Sequence, residues 1–365
     1  MKCPLCNNSD LSLIYNVENI PIFQNKTYKT MELAKNAQTA NVNLTFCHHC
    51  SFIFNANFDA NIMDYDDQYQ NEQSHSFYFQ NYLDEIIELF LVKNFHEKKI
   101  VEIGCGKGYF LEKLRKNGFN VTGFDPAYEG TSPYIIKDYF SDKYSDLNAD
   151  LIVLRHTLEH IQNPLRFLHS IGSAVGYRGM IYIEVPDFRW ILKKKAFWDI
   201  FYEHCNYFSL ESLGSVFQKS EQSSLFSNQY MYLLADLKNL REQAKPNTTS
   251  HLFNLSSSQL NKQLHFYQGF VREHHGMLVW GAGAKGSTFV NLTDVNREYI
   301  SCLVDINPKK QGRYIAKTGH SIISPVQLAD FEGGDILVMN DNYYQEIQKE
   351  IKGKHFNLYR LGAIQ

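Results

Sequence analysis

The chain has 365 residues, a formal net charge of -3 and 44% hydrophobic residues, enough for two or three domains around sizeable cores. So small a net charge excludes a dedicated nucleic-acid or polyanion binder, and no apolar run reaches the roughly 20 residues of a membrane span. The opening "MKCPLCNNSD" lacks the apolar stretch of a signal peptide, so a cytoplasmic location is expected. Seven cysteines, an odd count without a repeating framework, argue against a disulfide scaffold.

"CPLC" sets Cys3 and Cys6 two residues apart, and "CHHC" repeats that spacing at Cys47 and Cys50. Each C-x-x-C turn aims two thiolates at one point, and two such turns complete a tetrahedral sulfur site for zinc. The loop between them carries "LSLIY" and "NVNLTF", which read as strands of a small metal-stapled sheet. A redox C-x-x-C needs a strand before it and a helix start at it, which "MKCPLC" does not offer. His48 and His49 are spare donors beside a site that four cysteines already fill. A closed four-thiolate site has no open coordination position, so the expected metal is structural.

"KKIVEIGCGKGYFLEKLRKNGFNVTGFDPAYEG" is the most informative stretch. "IVEI" predicts a buried strand, and Gly104, Gly106 and Gly108 form a G-x-G-x-G turn into a helix that Gly118 stops. "NVTGFD" predicts the next strand, ending at Asp125, where an acidic side chain can accept from both hydroxyls of a ribose. Glu102 stands two residues before the first glycine, and the third glycine follows the second by two residues. The dinucleotide fingerprint has three there, to cradle a pyrophosphate. The pattern resembles the class I methyltransferases, which bind S-adenosylmethionine. "ADLIVLRHTLEHI" and "MIYIEVPD" predict the fourth and fifth strands, and "SSLFSN" with "QYMYLLADL" a closing antiparallel pair. Ligands of such sheets lie at the carboxyl ends of the strands, which places His156, Glu159, His160, Pro186 and the segment "FYEH" at one mouth. Cys105 reads as a small packing residue of the turn.

Further on, "HGMLVWGAGAKGSTFVNL" places Gly281, Gly283 and Gly286 in G-x-G-x-x-G spacing, and "ISCLVDINP" ends a strand at Asp305. This matches the NAD fingerprint. The span from residue 276 to 365 is too short to supply both a dinucleotide fold and a substrate domain. Lys285, in the turn, is either a phosphate contact or solvated. The polar stretch before it reads as a linker with a connecting helix.

Taken in order, the paired C-x-x-C, "EIGCGKG", "LEHI", "EHCNYFS" and "GAGAKGSTFVN…VDINPKKQGRYI" resemble the zinc-containing sugar C-methyltransferases over essentially the whole chain. The resemblance implies an α/β chain of five parts. These are a zinc-binding domain (1–60), a helical connection and cofactor lid (61–97), the methyltransferase domain (98–240), a linker helix (241–275) and a Rossmann-like substrate-side domain (276–365). It implies that the last is not a working NAD site but packs over the active site and helps hold a sugar nucleotide. In "YDDQYQNEQSHS" it makes Tyr69 a residue of the cofactor pocket. In "FYEHCNYFS" it makes His204 the general base with Glu203 beside it, whereas Phe201 occupies the position where the family usually has a tyrosine.

Methyl transfer from a sulfonium is an in-line displacement, so the protein chiefly aligns and activates the acceptor. A carbon acceptor must lie next to a ketone. Free histidine, with a pKa of ~6.5, removes such a proton only if nearby donors stabilise the enolate oxygen. His160, Tyr202 and Tyr69 are the candidate donors, and Glu203 a candidate to orient the imidazole or to take part in the proton transfer. The alternative to catalysis is that Glu203 and His204 cap a helix starting at Ser209. The expected cofactors are S-adenosylmethionine and zinc, with Glu102, Gly104, Gly106, Gly108, Asp125 and Tyr69 around the former. The expected partner is a sugar-nucleotide small molecule, with no nucleic acid and no membrane. Competing readings are an O-methyltransferase on a related sugar nucleotide and, in another class, a non-catalytic NAD-binding module.

Overall fold

A computed structural model describes residues 1–63, 69–247 and 257–364. The expected cofactor lid and linker therefore lie partly outside the described residues, at 64–68 and 248–256. In the amino-terminal part, β1 (Leu11–Pro21) and β3 (Thr39–Cys47) cover the two predicted apolar stretches, and β2 (Thr27–Tyr28) and β4 (Ile53–Asn55) lie outside them. β1 and β3 pair antiparallel along most of their length, and β4 joins β3.

The central part supplies β5 (Lys99–Ile103), β6 (Asn120–Phe124), β7 (Ile135–Ile136), β8 (Leu151–Arg155), β9 (Met180–Pro186), β10 (Asn206–Tyr207), β11 (Glu221–Leu225) and β12 (Tyr230–Asp236). Seven of these form one sheet in the order β11-β12-β9-β8-β5-β6-β7. Only β12 runs against its neighbours. This is the class I methyltransferase sheet. Its inner strands read as unbroken apolar runs, as "LIVL" does, because both faces are covered. The helix Tyr109–Lys116 buries Phe110, Leu111 and Leu114 and stops before Gly118, at φ +84°. "SSLFSN" is half strand: β11 ends at Leu225, and Phe226, Ser227 and Asn228 turn the chain with positive φ.

In the carboxyl-terminal part the helix Ser257–Glu273 leads into β13 (Met277–Trp280), β14 (Ile300–Val304), β15 (Tyr314–Ile315), β16 (Ile322–Ile323), β17 (Gly334–Val338) and β18 (Phe356–Arg360). Five of these form a parallel sheet in the order β16-β14-β13-β17-β18.

Two pairings cross the boundaries expected from sequence. β10, from the central part, completes the amino-terminal sheet by pairing with β4. β15 pairs with β2. A single apolar core accordingly runs from Tyr15 and Val42 through Phe197 and Trp198 to Phe289 and Leu337. Among the described residues no helix is long and apolar enough to cross a membrane.

Candidate active site

One large cavity opens at the carboxyl ends of β5, β8 and β9 and extends to the glycine turn after β13. On the first wall stand Glu102, Gly104 and Gly106. Gly104 has φ +75°, and a Cβ there would lie 2.4 Å from Oγ1 of Thr157. Gly106 has φ +55° with nothing within 4 Å of its Cβ position, so this turn faces open space. Gly108, at φ +78°, starts the helix outside the cavity lining. Asp125 also stands just outside it, at the tip of β6, with Oδ2 accepting from the Gly106 N–H at 2.8 Å and Oδ1 from the Ala127 N–H at 2.9 Å. Burial pushes the Glu102 carboxyl up to about 8 against the pull of Arg155. Arg155 is itself engaged by Glu184 in a two-pronged ion pair at 2.9 Å.

His156 takes a left-handed backbone, φ +49°, at the end of β8. Its Nε2 lies 2.9 Å from Glu184 and its Nδ1 3.4 Å from the buried Glu159. Burial works against its charge, but the two carboxylates raise its pKa to about 9. His160, four residues on, meets His204 edge to face, with ring centroids 4.8 Å apart. Nδ1 of His160 lies 2.8 Å from the carbonyl oxygen of Glu203. A carbonyl only accepts, so that nitrogen carries its hydrogen. His204 lines the cavity, its ring 4.4 Å from that of Phe201. Burial and the neighbouring charges of His160, His156 and Lys285 hold its pKa well below the usual histidine value. It is therefore neutral at pH 7, able to accept a proton.

The structure places the other predicted residues differently. Glu203 does not orient His204: its carboxylate, 1% exposed, accepts from the Tyr69 hydroxyl at 2.6 Å and from the Gln24 N–H at 3.1 Å. Glu203 thus positions Tyr69, which does line the cavity. Tyr202 is a correction. Its hydroxyl accepts from the Asp59 N–H at 2.8 Å and donates to the Asn57 carbonyl at 3.3 Å, inside the core and away from the cavity. Phe201 lines the cavity, and the turn at residues 202–203 carries the Tyr202 side chain away from it. The helix at Leu210–Gly214 is capped by Ser209 in a capping box with Ser212, which leaves Glu203 and His204 no capping role.

At the amino terminus the four cysteines converge. Cys3 Sγ lies 3.6 Å from Cys50 Sγ and Cys6 Sγ 3.5 Å from Cys47 Sγ, and all four sulfurs lie within 4.8 Å of one another. A tetrahedral Zn–S site with bonds of about 2.3 Å has sulfur separations of about 3.8 Å, so the donor set fits zinc.

The second glycine turn differs in what fills it. Gly286 lies so close that its Cβ would be 1.8 Å from the Gly281 carbonyl oxygen. Oδ2 of Asp305 accepts from the Ala282 N–H at 2.9 Å, and Lys310 donates to the Ala282 carbonyl at 3.2 Å. Lys285 pairs with Asp199 and rests over the Trp190 ring, 4.6 Å from its centroid. Sequence alone left Lys285 a phosphate contact or solvated; its partner is 86 positions away, so no local pattern announces the pair.

A glycine turn under a seven-stranded sheet of this order defines a methyltransferase fold, and the known proteins bear on which kind. The family pattern described as "Methyltransferase domain" matches residues 74–221, and that described as "C-methyltransferase C-terminal domain" matches residues 244–357. The chain is similar to the C-methyltransferase NovU of Streptomyces niveus, 23% identical over 283 residues, covering 68% of this chain and 67% of that protein. It is 28% identical over 105 residues to the ubiquinone biosynthesis O-methyltransferase of Colwellia psychrerythraea, covering 24% of this chain and 42% of that protein. Among solved structures, the plantazolicin methyltransferase BpumL in complex with SAH aligns at 15% identity and a TM-score of 0.35, covering 45% of this chain and 85% of that one. The protein is an S-adenosylmethionine-dependent methyltransferase.

Proposed function

We propose that the enzyme methylates a carbon atom next to the ketone of a nucleotide-linked 4-keto-6-deoxysugar, through an enolate, with His204 as the base. The observation that carries this is His204 itself: a neutral imidazole on the wall of the cavity that also contains the cofactor turn. His160 stands beside it, fixed by the Glu203 carbonyl, to share the proton, and Tyr69, held by Glu203, lies on the same wall. The carbon acceptor is supported by the carboxyl-terminal match and by the similarity to a C-methyltransferase. The sugar rests on the sequence resemblance. The nucleotide link rests on the same resemblance. Against an NAD module, the side chains of Asn25 and Lys310 stand within 3.7 Å of a Cβ built on Gly283, where a pyrophosphate would have to approach.

The balanced sequence is short. A ring nitrogen of His204 takes the proton, and the C–H electron pair becomes the enolate. The enolate carbon then attacks the methyl, the C–S bond breaks, and sulfur keeps its electrons as S-adenosylhomocysteine. We infer that zinc holds Cys3, Cys6, Cys47 and Cys50 together without entering the chemistry; chelation should lower the melting temperature, because metal binding in such a site is folding free energy. The test is incubation with methyl-labelled S-adenosylmethionine and a panel of nucleotide-linked 4-keto-6-deoxysugars in heavy water. A methyl on carbon with exchange of the neighbouring proton is expected. A methyl on oxygen would discard the enolate and leave an O-methyltransferase.

A further inference from the structure

An enolate in a dry site needs a cation or donor at its oxygen, and the expected ones are engaged or absent. Phe201 has no hydroxyl, Tyr202 faces the core, the Tyr69 hydroxyl donates to Glu203, and the Nδ1 hydrogen of His160 goes to the Glu203 carbonyl. Lys285 remains. It enters the same cavity from the second glycine turn, on the wall shared with Phe201, His204 and Trp190.

Resting on the enolate reading above, we propose that Lys285 is a catalytic residue whose ammonium binds the ketone oxygen of the substrate and carries the negative charge of the enolate. Four features of its setting suit that task. Asp199 anchors one of its three N–H donors, and the Trp190 face lies against the ammonium. Among the described residues Asp199 is its one hydrogen-bonding partner, so donors remain for a ligand oxygen. Its position is set by a turn that cannot relax, since Gly286 follows it against the Gly281 carbonyl. Finally, its charge reaches His204 and helps keep the imidazole neutral. A neutral, weakened base is a poor match for a C–H acid in water. Next to a buried cation it suffices, because the same charge that weakens the base strengthens the acid. Lys285 keeps its proton throughout: its N–H···O bond strengthens as charge develops on the oxygen and weakens again when the C=C pair forms the new C–CH3 bond and the oxygen's electrons re-form the C=O. In this arrangement the carboxyl-terminal domain, whose glycine turn looks like a nucleotide site, supplies the electrophile for a reaction whose base comes from the central domain.

The test separates enolate formation from methyl transfer. With S-adenosylhomocysteine in place of the donor, proton exchange of the keto sugar in heavy water reports the first step alone; with S-adenosylmethionine, product formation reports both. Lys285→Met should lower exchange and methylation together, by about 10²- to 10³-fold in kcat, with the KM for the keto sugar changed far less and S-adenosylmethionine affinity unchanged. Lys285→Arg should restore part of both. Because removing one partner leaves Asp199 buried and unpaired, the Lys285→Met/Asp199→Asn double variant repeats the measurement with the pair removed, and it should show the same joint loss. Exchange retained at the wild-type rate in a folded variant overturns the proposal, even if methylation is lost. Transfer to oxygen only by the wild-type enzyme overturns the enolate reading, and this proposal falls with it.

Discussion

The two glycine-rich turns have the same local plan and different contents. Each follows a parallel strand, opens a helix and is tied by an aspartate at the tip of the next strand, Asp125 to the Gly106 N–H and Asp305 to the Ala282 N–H. The first turn presents Gly106 to open cavity; the second lines the same cavity but has the side chains of Asn25 and Lys310 beside Gly283 and sends Lys285 to Asp199. A glycine fingerprint therefore reports a backbone shape, and the side chains that later fill the shape decide whether a nucleotide enters.

The largest effect should come from the closed turn. Gly286→Ala puts a methyl group against a backbone oxygen that cannot move aside, and a loss of about 4 kcal/mol is expected, measured by urea unfolding. A loss under about 1 kcal/mol would show the turn to be looser than its geometry. The aspartates come next. Asp125→Ala should weaken S-adenosylmethionine binding by about 10- to 100-fold, the worth of hydrogen bonds to a charged group, whereas Asp305→Ala should leave it unchanged; calorimetric titration of both variants distinguishes the turns. Equal losses would erase the distinction.

A smaller effect separates the turns by pH. Beside the first stands a buried carboxyl with a raised pKa, Glu102 at about 8. A raised folded-state value means stability that is present in full below the unfolded value and lost as pH rises through the folded one. Between pH 7 and pH 8 the cofactor-free protein should lose on the order of 1 kcal/mol from this group. Glu102→Gln should flatten that part of the stability curve, and an unaltered slope would assign it elsewhere, with His156 the next group to test. The smallest effect is a control outside both turns. Tyr202→Phe removes two hydrogen bonds in the core, so about 1 kcal/mol of stability should go while kcat stays where it was; a lost kcat would return the hydroxyl to the chemistry.

Much of this was legible because it is local or periodic. The apolar runs of β5, β8 and β9, the glycines of both turns and the doubled C-x-x-C are short-range patterns, and strand-end logic brings His156, His160 and His204 to one mouth. What escaped depends on direction within an irregular segment or on distant partners. Residues 200–205 lie outside helix and strand, so no period says that Phe201 faces in, Tyr202 out, and that the Glu203 carboxylate meets Tyr69 instead of the adjacent His204. The Lys285–Asp199 pair and the joining of β2 to β15 require the fold first. The hydrophobic signal could not divide the chain because its largest core belongs to all three parts at once.

The placement of β10 has a consequence for recombining such enzymes. Asn206 and Tyr207 hydrogen-bond as a strand of the cysteine-bearing sheet, two residues after His204. A chimera that exchanged residues 98–240 as a cassette would give the recipient a His204-bearing loop whose anchoring strand was selected against a foreign sheet edge. Donor cassettes should therefore carry Thr39–Asn55 with them, making the exchangeable unit discontinuous in sequence although it is contiguous in space.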